Sequence, residues 1–170
     1  MTTNRYYKTI KTALRKGVLP DTYFTSRYSF SPYMACMHGC KYCDGRAEKY
    51  YVEGDFETDI VIRKNLPHCL EQELPKLRER GFVSIGSGIS DPYQPLEAEE
   101  GLMLAASRLL HSHHPHAMVM TKNALVQRDL PTWQALHERG GFLLMMSLVY
   151  PTDRLRQIFE PGASSVDERL

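Results

Sequence analysis

The chain has 170 residues, 42% of them hydrophobic and 24% charged, with a formal net charge of +1, which is the make-up of an ordinary soluble globular domain with one core. That balance removes any global electrostatic case for nucleic acid or an acidic membrane as partner, and no apolar run approaches the roughly 20 residues that span a bilayer. The N-terminus leads into polar tyrosines rather than a secretory segment, and three of the four cysteines fall within eight positions, which suits a cytoplasmic protein with metal-binding or catalytic thiols better than a disulfide framework.

In chain order, residues 6 to 19 predict a short amphipathic helix, with Tyr7, Ile10 and Leu14 on one side and Lys8, Lys11, Arg15 and Lys16 on the other, ended by Gly17 and Pro20. Residues 1–24 therefore read as an N-terminal helical extension. A strand is expected at Arg27 to Phe30, closed by Ser31-Pro32 just before the cysteines, and residues 49 to 62 form a long loop with a short strand at Ile60 to Ile62. Asn65 is a candidate N-cap for a helix with Leu66, Leu70, Leu74 and Leu77 along one stripe, kinked or shortened by Pro75 and ended by Gly81.

Phe82 to Ile85 is a compact strand that runs into an irregular, glycine- and proline-rich turn over residues 86–95. A helix from Glu97 to Leu110, a strand from Ala117 to Thr121, a helix from Asp129 to Arg139 and a strand from Phe142 to Val149 follow. The apolar run of the last strand suits coverage on both faces. This alternation predicts parallel βα units, and four strands are too few to close a (β/α)8 barrel of about 250 residues. Ser165 and Glu168 form a capping box that starts a helix at the last residues, so the chain reads as the N-terminal part of a longer protein.

Chemistry concentrates between Met34 and Arg46, where Cys36, Cys40 and Cys43 have the spacing Cys-x3-Cys-x2-Cys. Structural zinc needs a fourth ligand. His38 is constrained by its neighbours in the loop, and Cys69 on the leucine-striped helix reads as a core residue. An iron-sulfur cluster accommodates three close cysteines and leaves one iron open to another ligand. A non-enzymatic module in which zinc or a cluster merely staples the first strand is the alternative.

The motif, with Tyr42 before the last cysteine, resembles that of the radical S-adenosylmethionine (SAM) enzymes. Ser31-Pro32-Tyr33 before the cysteines, Ser90-Asp91-Pro92-Tyr93-Gln94-Pro95, the segment Thr121 to Leu130, and Glu160-Pro161-Gly162-Ala163 extend the resemblance to the spore photoproduct lyase-like family over about residues 28 to 170. The resemblance implies a partial (β/α) barrel of the radical SAM type, with residues 25–170 as the N-terminal part of its core domain. It also implies a [4Fe-4S] cluster on Cys36, Cys40 and Cys43, with SAM on the fourth iron. Ser90 and Asp91 would meet the methionyl amino group, Lys122 the carboxylate, Ser147 would add a hydrogen bond, and Tyr42 would belong to the cofactor site. Reductive cleavage of SAM would then give a 5′-deoxyadenosyl radical acting on an unknown substrate, with a reductant such as flavodoxin or ferredoxin as partner.

Two departures from the family pattern stand out. Gly88-Ile89 occupies the place of the hydrogen-donating cysteine of spore photoproduct lyase, which argues against DNA photoproduct repair, and Asp44-Gly45 replaces the aromatic and small pair that follows the last cysteine in many relatives. Plainer readings stand beside the functional ones elsewhere. Asp91 equally suits a turn cap before Pro92. His111, His113, His114 and His116 read as a solvated loop rather than a metal tract, Met145 and Met146 as core, and the charges around Glu48 to Tyr51 as a solvated face.

Overall fold

The computed structural model describes residues 3–17, 26–78, 81–86 and 89–170. The first half contains β1 (Asn4–Lys8), β2 (Arg15–Lys16), β3 (Ser26–Phe30), β4 (Tyr33–Met34), β5 (Asp59–Arg63), α1 (Leu66–Glu73) and β6 (Phe82–Ile85). The second half continues with α2 (Glu97–Glu100), α3 (Leu102–His113), β7 (His116–Thr121), α4 (Leu130–Arg139), β8 (Gly141–Met146), α5 (Asp153–Phe159) and α6 (Val166–Arg169).

The four strands expected from the βα alternation are β3, β6, β7 and β8, and they lie side by side in that order, all parallel. β2 adds an antiparallel strand outside β3. Alternation along each strand sorts the two faces of this five-stranded sheet. Tyr28, Phe30, Val83, Ile85, Ala117 and Val119 are buried beneath Leu66, Leu70 and Leu74 of the α1 region, Met103, Ala106 and Leu110 of α3, and Trp133 and Leu136 of α4. Ser29, Ser84, Met120 and Leu143 point the other way, where Met120 and Leu143 remain about two-fifths exposed, at 42% and 39%. The fold is therefore mixed α/β with a parallel sheet whose helices cover one face.

That arrangement corrects the expectation for the last strand, which is not covered on both faces. Phe142, Leu144 and Met146 pack on the core, whereas Leu143 and Met145 line the other face, and the strand stops at Met146. Met146 is thus core as expected, and Met145 is not.

The predicted helix over residues 6–19 is replaced by β1 and β2 among the described residues. A stripe of only three apolar residues offers little to bury, and the backbone finds better partners far along the chain. β1 pairs in parallel with β5 from Asn4 opposite Asp59 to Lys8 opposite Arg63. Asn65 accepts from the Ile10 amide at 2.8 Å and donates to the Ile10 carbonyl at 2.9 Å, while Glu73 accepts from the amides of Ala13 and Leu14 at 2.9 and 2.8 Å. Asn65 stands at the N-cap position of α1, but its side chain is committed to Ile10 rather than to the helix. The boundary expected at residues 24 and 25 lies outside the described residues.

Other differences are local. Pro75 converts the end of the α1 stripe into a 3-10 turn at Leu74–Lys76. The helix expected from Glu97 to Leu110 breaks at Gly101, whose φ of 64° ends α2 and restarts the chain as α3. The loop predicted for the histidines is the last turn of α3 and the start of β7. His111 and His113 are helical, and buried His114 donates through Nε2 to the Gly81 carbonyl at 2.9 Å. The loop from residue 49 to 58 is preceded and entered by short 3-10 turns at Asp44–Arg46 and Glu48–Tyr50. Among the described residues no helix is long and apolar enough to cross a membrane.

The short strand foreseen at Ile60–Ile62 becomes the centre of a separate three-stranded sheet, β1-β5-β4. Behind it Tyr33, Ala35, Cys36, Phe56, Ile60, Ile62, Leu96 and Leu102 form a second buried cluster. This cluster is the floor on which the cysteine loop rests.

Candidate functional site

The cysteine loop leaves β4 through Ala35, a non-glycine residue at φ 66°, and turns again at Gly39, φ 62°. Amide hydrogen bonds from Gly39 to the Cys36 carbonyl and from Cys43 to the Cys40 carbonyl coil it tightly. Its shape is imposed from outside by two distant segments. Gln94, fully buried, accepts from the Met37 amide at 2.9 Å and donates to the Ala35 carbonyl and to Ser90 Oγ, both at 3.2 Å. On the other side the Phe159 carbonyl accepts from the Lys41 amide at 2.8 Å, and Gly162 donates to the His38 carbonyl at 2.9 Å. A Cβ on Gly162 would lie 2.2 Å from the Met37 carbonyl oxygen, so only glycine permits this approach.

The carboxyl ends of β6, β7 and β8 supply the rest. Asp91 Oδ1 accepts from the Tyr93 amide at 2.9 Å, the turn-capping contact foreseen for it, and from Thr121 Oγ1 at 2.6 Å. Its Oδ2 accepts from the Lys122 amide at 2.8 Å and lies 3.4 Å from His38 Nδ1. Burial works to raise the Asp91 carboxyl, and the surrounding His38, Thr121 and Lys122 donors outweigh it, holding the group below its ordinary value. Asn123 Oδ1 accepts from the Leu125 amide and Ser164 Oγ, which turns its Nδ2 toward His38 Nε2 at 3.3 Å. That network places a proton on Nδ1, facing Asp91.

A third group lies beneath Lys122. Glu160 is fully buried, accepts from Tyr42 Oη, sits 3.1 Å from Arg169 Nη1 and 3.9 Å from Lys122 Nζ. Arg169 also donates to the Ser147 carbonyl at 2.8 Å, so Ser147, whose own amide bonds to the Thr121 carbonyl at 2.9 Å, is fixed from two sides. Arg169 Nη2 is buried and has no partner among the described residues.

These elements enclose a cavity of about 400 Å³ at the sheet end, within the range of small-molecule sites. Cys36, Cys40, Cys43, Ser90, Asp91, Lys122 and Ser147 all line it, so seven of the eight residues singled out from the sequence share one cavity. Tyr42 is not among its lining residues; its ring lies 6.0 Å from Lys122 Nζ and its hydroxyl is spent on Glu160. No disulfide joins any of the four cysteines, and burial pushes the Cys40 thiol up to about 12 and the Cys43 thiol upward. Among the described residues no group of three or more His, Cys, Asp or Glu side chains is placed to hold one metal ion. Gln94, Glu160 and Arg169 escaped the sequence reading, and His38 was weighed there only as a metal ligand. A polar Gln between two prolines and a Glu before Pro-Gly were visible in the quoted motifs, but nothing local told what they would touch.

No family model matches the chain. Its sequence is 30% identical over 150 residues to uncharacterized proteins of Mycobacterium tuberculosis and Mycobacterium bovis, covering 85% of this chain and 44% of each relative. The chain thus spans less than half the length of the curated relatives it matches. Among solved structures, a cysteine-to-serine mutant of spore photoproduct lyase superposes with a TM-score of 0.62 at 17% identity, over 97% of this chain and 45% of that one. A further spore photoproduct lyase mutant, with bound AdoMet and dinucleoside spore photoproduct, gives 0.60 at 16% identity with the same coverage.

This chain has the fold of spore photoproduct lyase over that span.

Proposed function

We propose that the chain carries the cluster- and SAM-binding part of a radical SAM enzyme, with residues 25–170 forming the N-terminal part of a partial (β/α) barrel core and the remaining parts of the reaction chamber supplied by longer sequence. The observation that carries this reading is the convergence of Cys36, Cys40 and Cys43 with Ser90, Asp91, Lys122 and Ser147 in one cavity at the ends of parallel strands. The spore photoproduct lyase fold, one example of which holds AdoMet, is consistent with it.

The donor set fits a [4Fe-4S] cluster with one open iron. Three thiols reach the cavity, while the fourth cysteine, Cys69, is packed in the core with its sulfur 3.3 Å from Asn65 Nδ2. Both ring nitrogens of His38 face protein partners, Asp91 and Asn123, which commits that side chain to the protein. In a cluster each thiolate binds a different iron, so the three need not meet at one point.

When bound, the cluster and SAM would supply a one-electron cleavage of the cofactor's C5′–S bond, the electron coming from a reductant such as flavodoxin or ferredoxin. The residues of this chain bind and orient. Lys122, whose Nζ lies 3.9 Å from Glu160, offers a carboxylate a charge-assisted bond, and Ser90 and Ser147 line the same cavity. Asp91 acts through Thr121 and the Lys122 amide as well as through the cavity wall. Cysteines that form no disulfide accord with a cytoplasmic location.

Anaerobic reconstitution with iron and sulfide, followed by electron paramagnetic resonance of the reduced protein with and without SAM, tests the reading. A cluster signal that changes on adding SAM, lost in Cys36→Ala, Cys40→Ala and Cys43→Ala but retained in Cys69→Ala, is expected. A colourless protein with one tightly held zinc would overturn it and favour the structural module.

A further inference from the structure

A second, smaller pocket opens on the helix-free face of the sheet. Arg15 of β2 stands opposite Ser29 of β3, and Ser29 stands opposite Ser84 of β6, so these three side chains form a row across neighbouring strands. Arg63 from the end of β5 and Ser31 after β3 close the row into a pocket of about 50 Å³. A space of about 10–15 Å³ holds one water, so this one takes a small oxyanion. Its wall on one side is Gly86, which also lines the cysteine-bearing cavity.

The charge of this pocket is unbalanced. Arg46, Arg128, Arg156 and Arg169 each meet a carboxylate. Among the described residues neither Arg15 nor Arg63 does, and the hydrogen bond made by Arg63 is from Nη1 to the Ser31 carbonyl at 2.8 Å. Arg63 is only 9% exposed. Burial and then the Arg15 cation both lower its pKa. Arg15 and Arg63 line the same pocket, so an anion placed there would meet two cations.

We propose that Arg15, Arg63 and the hydroxyls of Ser29 and Ser84 form a binding subsite for a phosphoryl group of the substrate, one glycine away from the cavity at the cysteine loop. A phosphoryl group carries close to two charges, matching two guanidinium groups, whereas a carboxylate matches one. The planar forks of arginine suit its oxygens, and the serine hydroxyls satisfy those the forks leave. Assigning the phosphoryl group to the substrate rests on the radical SAM reading of the adjoining cavity; the anion site itself rests on the pocket alone.

Titration calorimetry of the full chain with inorganic phosphate, at ionic strength matched with chloride, and in parallel with acetate, tests the subsite. Phosphate binds and acetate binds at least several-fold more weakly; Arg15→Gln, on an exposed strand, weakens phosphate by about tenfold, the loss expected for one hydrogen-bonded charge. Ser84→Ala gives a smaller loss in the same direction and guards against an Arg63 variant that fails to fold. Phosphate bound no more tightly than acetate, or bound equally by wild type and Arg15→Gln, overturns the proposal. Neither iron nor SAM is present in this measurement, so its failure leaves the resonance test of the cluster standing, and a failed cluster test leaves the phosphate result standing.

Discussion

Gln94 Oε1 accepts the Met37 amide at 2.9 Å while Nε2 donates to the Ala35 carbonyl at 3.2 Å, so one buried side chain clasps the chain on both sides of Cys36. Gln94→Leu keeps the bulk and leaves a buried donor and acceptor unpaired, a loss of about 2 kcal/mol. Urea denaturation of the apoprotein and iron bound per chain after reconstitution should both fall. An unchanged denaturation midpoint would show that the clasp is dispensable.

Gly162→Ala and Gly101→Ala make a matched pair. The first drives a Cβ to 2.2 Å from the Met37 carbonyl oxygen and must push the cysteine loop aside, with loss of iron uptake. The second meets nothing within 4 Å at φ 64°, so it costs only the backbone strain of about 1–2 kcal/mol. Iron content at equal folded fraction separates them, and equal iron in both variants would refute the role given to Gly162.

Arg128 bridges two fully or nearly buried carboxylates, reaching Glu97 Oε1 at 2.6 Å and Asp129 Oδ1 at 2.7 Å. Glu97 also accepts from Tyr33 Oη and the Met103 amide, and Asp129 from Tyr93 Oη, to which Trp133 donates. Arg128→Met strands both acids and should destabilise the fold by about 3 kcal/mol, within the range for breaking a buried pair. Chemical denaturation measures it; a loss below a tenth of that value would mean the acids are protonated and indifferent to the arginine.

Burial lowers the pKa of His114 from 6.5 in spite of its bond to Gly81. The unfolded chain therefore takes up a proton near 6.5 that the folded ring refuses, and stability falls as pH drops through that value toward the lower folded one. Above it the ring is neutral in both states and contributes no slope. Urea midpoints measured between about pH 7.5 and 5.5 should fall less steeply in His114→Gln than in wild type.

The cysteine loop was legible because its spacing is a local signal, whereas Ser90, Asp91, Lys122 and Ser147 were singled out by the resemblance and the alternation of strand and helix only agreed with placing them near strand ends. The partners that shape the site were not legible. Gln94, Glu160 and Arg169 work through contacts with segments tens of residues away, and no periodicity encodes such a meeting. The N-terminal helix failed for the same reason: Tyr7, Ile10 and Leu14 have helical spacing, but β1 obeys β5, more than fifty residues later. For Tyr42, a motif position, the structure shows a hydroxyl bonded to Glu160, a partner that the motif did not announce.

The cysteine loop leans on Phe159, Glu160 and Gly162, segments made long after it. During synthesis the three thiols therefore leave the ribosome well before the brace that fixes their arrangement. A short peptide spanning residues 34 to 46 lacks that brace. Under the proposed function, loading of a centre held by these thiols is expected to await residues 159 to 163 rather than the appearance of the cysteines themselves.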